Sequence, residues 1–220
     1  MRLSATLAIF ALAAAAQAAQ ATDNAVPAPA TAPVPQGAYE LDKAHTSLLF
    51  KVNHLGFSTF TGRFTRYDAK LAFNPAKLAD SSVNVTIDPK SISTDNAPAG
   101  FLEELAGAQF LDTAKFPEMK FTSSSVEDAG NGTFRIRGEL TLHGVTKPLV
   151  LEARYNGGYA GHPYDPHARV GFSARGTFKR SDFGVAFGVP APGTKFGVGD
   201  QVEVQLETEF SGPALRVAAR

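Results

Sequence analysis

The chain has 220 residues, 21 basic and 21 acidic side chains and no cysteine. An even charge balance excludes the basic footprint that holds nucleic acid. The absence of cysteine excludes disulfides, thiolate metal sites and a lipid-modified cysteine anchor, so a single domain must stand on its own core.

The N-terminus reads as an export signal. Arg2 gives a positive start, Leu7 to Ala16 form an unbroken apolar run of ten residues, and Ala16-Gln17-Ala18 offers a small-x-small cleavage pattern. Cleavage is expected after residue 18, with 21 as the second site, which predicts a periplasmic mature protein. Ten apolar residues fall short of the ~20 a spanning helix needs, so the mature chain is not expected to be embedded in a membrane. Residues 19–37 are rich in Ala and Pro, carry only Asp23 as a charge, and read as a disordered tether. The folded domain is expected over residues 38–212 and a short tail over 213–220.

From Tyr39 onward the pattern is β. Leu48, Phe50, Val52 and His54 share one face of a first long strand, against Leu49, Lys51 and Asn53. Phe60, Gly62 and Phe64 share one phase, whereas Tyr67, Ala69, Leu71 and Phe73 share the other, so a bulge or sharp bend is expected between them. Val83, Val85 and Ile87 form the next run. The one helical stretch, about Pro98 to Gly107, places Leu102, Leu105 and Ala106 on a common face. Four further alternating runs follow: Phe134 to Leu142, Leu149 to Tyr155, Val170 to Phe178 and Val202 to Phe210. His143-Gly144 marks a tight hairpin between the first two. Alternation with one wet face, abundant Gly and a single short helix predict an all-β chain closed into an antiparallel barrel of about eight strands.

No catalytic constellation emerges. Gly171 to Gly176 is one residue too long for a nucleophile elbow and lies inside a strand pattern. Gly188 to Lys195 has the wrong order for a phosphate loop, and no helix follows it. His162 and His167, with Asp165 between them, could chelate a metal but lie in a Pro- and Gly-rich turn where polar residues are expected anyway, so no metal is expected. Phenylalanine is the unusual residue, with 17 in the chain and all but Phe10 after residue 39. A packed core and a ring-lined cavity both account for it. Inward Gly62, Gly138, Ala174 and Gly176 are too small to fill their share of an eight-stranded barrel, which suggests space along the axis. The loop from Ser181 to Gly199 carries Phe183, Phe187 and Phe196 and reads either as a portal or as rings tucked against the barrel.

Four spaced motifs then carry a resemblance. Tyr39-x-Leu41-Asp42-x-x-His45-Thr46-x-Leu48-x-Phe50 with Asn53-His54-x-Gly56-x-Ser58 resembles the opening strands of the YceI-like family. Leu140 to Pro148 is similar to its central hairpin, and Lys179 to Val185 to its late motif. Phe110-Leu111-Asp112 with Phe116-Pro117 and Phe121 also fits, so the likeness runs from Tyr39 to about Phe210. It implies an extended lipocalin-like barrel, exported to the periplasm, that binds polyisoprenoid chains such as a quinone tail or a prenyl pyrophosphate and is often dimeric. True lipocalins carry Gly-x-Trp near the first strand, and this chain has no tryptophan. Ala97-Pro98-Ala99-Gly100 stands where the family has a charged pair and a helix start.

The combined expectation is a non-catalytic lipid carrier with no cofactor apart from its bound lipid. Leu48, Phe50, Val52, Phe60, Phe64, Phe121, Phe134, Leu140, Leu142, Phe172 and Phe178 should line the tail's tunnel, closed from the helix by Phe101 and Leu102. Asp42, His45, Arg180 and Asp182 would greet a polar head or staple the barrel end. Phe183, Phe187 and Phe196 would form the portal loop, leaving room for a homodimer and for transient membrane contact. Two rivals stand beside this reading: an enzyme with His54 or His45 as base, and a solid-cored structural protein of the envelope.

Overall fold

The computed structural model describes residues 33–162 and 164–214. The expected export signal, most of the tether and the end of the tail lie outside that range. Eleven strands and one short helix follow in chain order: β1 (Gly37–Leu41), β2 (Ser47–His54), β3 (Ser58–Phe64), β4 (Tyr67–Phe73), β5 (Ser82–Ile87), β6 (Ile92–Thr94), α1 (Phe101–Ala106), β7 (Met119–Gly130), β8 (Thr133–Leu142), β9 (Val145–Tyr159), β10 (His167–Lys179) and β11 (Val198–Ala214). Among the described residues no helix is long and apolar enough to cross a membrane.

Eight of the strands close a ring in the order β1-β4-β5-β7-β8-β9-β10-β11, with β11 pairing back onto β1. All ring pairings are antiparallel, which bears out the all-β eight-stranded barrel with one short helix. The remaining strands arise because β11 is 17 residues long and serves two partners on one edge. Its C-terminal part pairs with β1 through Phe210 and Ser211, and its N-terminal part pairs with β2 from Val198 to Glu207. From β2 the sheet continues through β3 to β6.

The switch of phase seen in the sequence falls where β3 ends and β4 begins. Thr65 and Arg66 leave the β2 edge and cross to the β1 edge, and Ser91 holds the crossing. Its carbonyl accepts from the Thr65 N–H at 3.1 Å and its Oγ from the Arg66 N–H at 3.0 Å. The tight turns are those the residue types demand. Asn131-Gly132 between β7 and β8 has φ of 53° and 71°, and His143-Gly144 between β8 and β9 has 51° and 74°. Positive φ at both central residues matches the twist of the flanking strands. Ahead of β1, Val34 is buried in the core, and the Tyr39 hydroxyl donates to the Pro35 carbonyl at 2.6 Å.

Along its axis the barrel is solid at one end and hollow at the other. At the end holding β1 and the start of β10, Phe73 packs edge-on to Tyr39 at 6.1 Å and to Phe172 at 5.6 Å, while Tyr155 and Phe210 close on Phe172 from other sides. Tyr39 and Val170 are each 1% exposed there. At the other end β6 pairs only with β3, because β7 starts at Met119 and its pairing with β5 ends at that residue. No ladder joins β6 to β7 among the described residues. The helix α1, packed on β6, and residues 107–118 fill that breach, and the interior widens behind them.

Candidate functional site

The hollow half is a cavity of about 290 Å³ whose walls are side chains from 27 residues, of which only His54 and Arg180 are polar. Residues of β2, β3, β5, β6 and β7 to β11 form its sides, and Phe101, Leu105, Phe110 and Leu111 close the breach beside β6. Phe50 lies 5.6 Å from Phe64 and 6.5 Å from Phe60, and Phe60 meets Phe101 edge-on at 6.0 Å, so a ring cluster ties β2 and β3 to the helix. His54 both lines the cavity and is exposed, which locates the mouth at the tip of the β2–β3 hairpin. The wall runs along β2 from Leu48 to His54, six steps of ~3.3 Å tilted near 40°, a depth of about 15 Å. Below that the Phe73–Phe172 plug makes the cavity blind.

Arg180 is the one charged group on the wall and is only 6% exposed. Its Nε donates to the Gly199 carbonyl at 3.0 Å, Nη1 to Val185 at 3.0 Å and Phe187 at 2.8 Å, and Nη2 to Val198 at 2.8 Å. Four of the five guanidinium donors are thus spent on backbone carbonyls of the loop before β11 and of the first two residues of β11. Burial pushes its pKa down, and the nearby Asp200 carboxylate opposes that shift. Asp200 itself accepts from the Ser181 N–H at 2.9 Å and Oγ at 2.8 Å. Arg180 is therefore the clamp that fixes this loop at the mouth.

Ten of the residues expected to hold a tail do line the cavity: Leu48, Phe50, Val52, Phe60, Phe64, Phe101, Phe121, Leu140, Leu142 and Phe178. Phe134 and Phe172 lie elsewhere. They pack on each other at 6.2 Å in the plug, because their strand positions are near the closed end. Leu102 is replaced by Leu105, which stands one turn from Phe101 and shares its face. The expected portal loop divides: Phe183 is 1% exposed and packs edge-on to Phe178 at 5.3 Å, whereas Phe187 meets Phe110 edge-on at 5.4 Å and Phe196 is 86% exposed. The inward glycines do not create the space either. A Cβ on Gly62 would strike the Phe50 ring, one on Gly138 the Phe121 ring and the Thr122 carbonyl, and one on Gly176 would meet Leu151 at 2.7 Å. Rings and branched side chains already cover these positions, so the void comes from the breach beside β6.

Asp42 and His45 do not face the cavity. They sit on the outer surface where the chain crosses from β1 to β2, with Arg169 and Glu209. The His45 ring at 3.0 Å and the Arg169 guanidinium hold the Asp42 carboxyl down to about 2, and the same carboxylate raises the His45 pKa. Asp42, His45 and Glu209 have ligand atoms within 4.8 Å of one another, but Arg169 places a fixed cation on Asp42 where a metal ion would sit. Asp165 is likewise taken, by the Tyr159 hydroxyl at 2.8 Å and Arg169 Nε at 2.9 Å. Asp182 is exposed beside the Arg180 clamp. His54 and His45 lie at opposite ends of β2, roughly 25 Å apart along the strand, so no single site combines them. Sequence reasoning missed Leu149, Leu151, Val202, Val204 and Leu206 on the wall, although their phase was visible in the alternating runs.

A closed antiparallel barrel with a breach beside one short strand and a blind apolar interior defines the class: a lipocalin-like β-barrel. The YceI-like domain profile matches residues 39–210, and the chain belongs to the YceI-like family. A UPF0312 protein of Vibrio cholerae is 36% identical over 166 residues, 76% of this chain and 82% of the relative. The Campylobacter jejuni YceI protein superposes with a TM-score of 0.61 at 33% identity, covering 78% of this chain and 95% of that one. A polyisoprenoid-binding domain from Saccharophagus degradans shares the fold at 16% identity, with a TM-score of 0.57 over 80% of this chain and 99% of that one.

Proposed function

We propose that the protein binds one long apolar lipid tail-first in its barrel, a polyisoprenoid of the quinone-tail or prenyl-pyrophosphate kind, and carries or sequesters it in the periplasm without altering it. The observation that carries this reading is the wall itself, 25 apolar residues with only His54 and Arg180 as exceptions. Each buried methylene contributes roughly 0.8 kcal/mol of gross driving force, of which ordering and association costs leave a fraction. A polar head would lose its hydration in the blind end, so it stays at the mouth by His54. Any tail much longer than ~15 Å must fold back or protrude. The polyisoprenoid-binding description of the Saccharophagus degradans domain supports a branched chain over a straight one.

The test is native mass spectrometry of protein purified from its own periplasm, followed by solvent extraction. An adduct of prenyl-lipid mass supports the proposal, and Val204→Trp, which fills the wall, should abolish it with the fold retained. Protein that is folded yet lipid-free by both methods sinks it. Fractionation of cells making the full chain, with and without residues 1–18, checks the compartment.

A further inference from the structure

Two of the most exposed rings in the described chain stand together at the cavity mouth. Phe57, at the tip of the β2–β3 hairpin, is 85% exposed, and Phe196, in the loop before β11, is 86% exposed. The two tips form one unit: the Leu55 N–H donates to the Gly197 carbonyl at 2.9 Å, and His54 pairs with Val198. The Lys195 side chain lies across Gly56, with its Cδ 3.3 Å from where a Cβ would stand. Phe187, 49% exposed, continues the apolar rim to Phe110 and the helix side. Tyr164, also exposed, is at the opposite, plugged end.

We propose that this rim docks the protein on an anionic lipid bilayer, with Phe57 and Phe196 inserted at headgroup level and the cavity mouth facing the membrane. Charge supports a bilayer. From Val52 to Gly62 and from Phe183 to Gly199 there is no Asp or Glu, and Lys195 is the only fixed charge. Asp182 and Asp200 flank the loop in sequence. Asp200 is already bonded to Ser181. Rings at two loop tips, one Lys among them and no acid between suit a layer that is anionic outside and apolar beneath. A protein partner would call for a flat, complementary patch. The mouth is continuous with the rim, since His54, Val185 and Val198 belong to both the cavity wall and the two loops. A tail could then pass between bilayer and barrel without crossing water. This direction of passage rests on the proposed function; the docking itself does not.

The test is flotation of the full chain with vesicles of phosphatidylethanolamine and phosphatidylglycerol in equal amounts, against vesicles of phosphatidylcholine. Wild type should float with the anionic vesicles. Replacing both rings, Phe57→Ser with Phe196→Ser, should cut partitioning at least about tenfold, the exposed rings having no structural contacts to lose. Lys195→Gln should lower the preference for anionic vesicles about fivefold. Because the chain has no tryptophan, Phe196→Trp gives a single reporter whose emission should shift to the blue on anionic vesicles. Failure of wild type to float, or equal flotation by the double variant, overturns the docking. So does a ring-dependent dimer in light scattering without vesicle binding, which would make the rim a contact between copies. Flotation by Val204→Trp that carries no lipid supports docking independently of cargo, and flotation by wild type that never yields a lipid adduct overturns the cargo reading alone.

Discussion

Phe172 is the keystone of the plug, and removing its ring tests the division of the barrel into solid and hollow halves. Its centroid lies 5.5 Å from Tyr155, 5.6 Å from Phe73, 6.2 Å from Phe134 and 6.3 Å from Phe210. A buried Phe→Ala change costs about 3–5 kcal/mol, and the partial burial of Phe172 places it near the low end, about 3 kcal/mol. For a domain of this size that is a fall in Tm of roughly 6–12 °C. Phe172→Leu keeps most of the volume and should cost no more than about 1.5 kcal/mol. The second consequence concerns the ligand. A ring-sized hole beneath the blind end deepens the cavity, so protein carrying Phe172→Ala should copurify with longer tails, read as a shift in adduct mass. Urea unfolding and native mass spectrometry measure the two effects on the same sample. A cost below about 1 kcal/mol would refute the plug, and the full cost with unchanged adduct masses would refute its role as the floor.

Arg180→Met leaves four carbonyls, two in the loop and two at the start of β11, without their buried donor and should cost at least about 3 kcal/mol in urea unfolding, with faster proteolysis between residues 184 and 197. Lys at the same position cannot reach all four, so Arg180→Lys should recover little; wild-type stability of the Lys variant would contradict the clamp. Gly138→Ala should cost about 1–3 kcal/mol and more than Gly62→Ala, because the Thr122 carbonyl cannot move aside whereas the Phe50 ring can turn. Asp42 gives a pH signature. Its folded pKa of about 2 lies below the ordinary 3.8, so its contribution is present above about pH 4 and is lost as pH falls toward 2. The His45 pKa is raised, so that contribution is full below its ordinary 6.5 and is lost as pH rises through the raised value. The difference in urea midpoint between wild type and Asp42→Asn should therefore peak between about pH 4 and 6.5 and shrink on both sides; a flat difference would count against the pair.

Strand alternation made the barrel legible, and the His143-Gly144 pair made one of its hairpins legible, because both signals are local; Asn131-Gly132 carried the same turn signal and was passed over. Eight of the ten cavity residues named from the sequence were found through strand phase, while Phe101 came from the helical stretch and Phe121 from the motif resemblance. Phase, however, separates inside from outside and says nothing of height along the axis. Phe172 and Phe178 share a phase on β10, yet one sits in the plug and the other on the cavity wall. Only the register of β10 against β9 and β11 fixes that height, and register is a tertiary property. Phe183 shows the same limit in a loop: the sequence left portal and tucked ring open, and a short helical turn decides for the second by burying it against Phe178. The glycines misled because a missing side chain was read as missing matter, when an adjacent ring occupies the place.

The hollow half exists because one strand changes partner. A strand of 17 residues is too long to pair with the five residues of β1, and the surplus recruits β2, β3 and β6 beyond the closed ring. Since β6 has only three residues and finds no ladder with β7, the wall opens there and must be closed by side chains from α1 and residues 107–118. Side chains closing a breach pack less densely than a ladder, and the burial pattern follows. Tyr39, Ala168 and Val170 at the plug are at most 1% exposed, while Phe50, Phe60 and Val204 on the cavity wall are only partly buried. Partly buried rings give less stability per residue than the buried wall positions Leu48, Val52, Phe121, Leu140 and Leu142, which share the core with the plug. Substitutions at Phe50, Phe60 and Val204 should then change what the cavity holds at a smaller cost in stability than substitutions at the buried wall positions. The partly buried positions are therefore where the cavity can be reshaped with least damage to the fold.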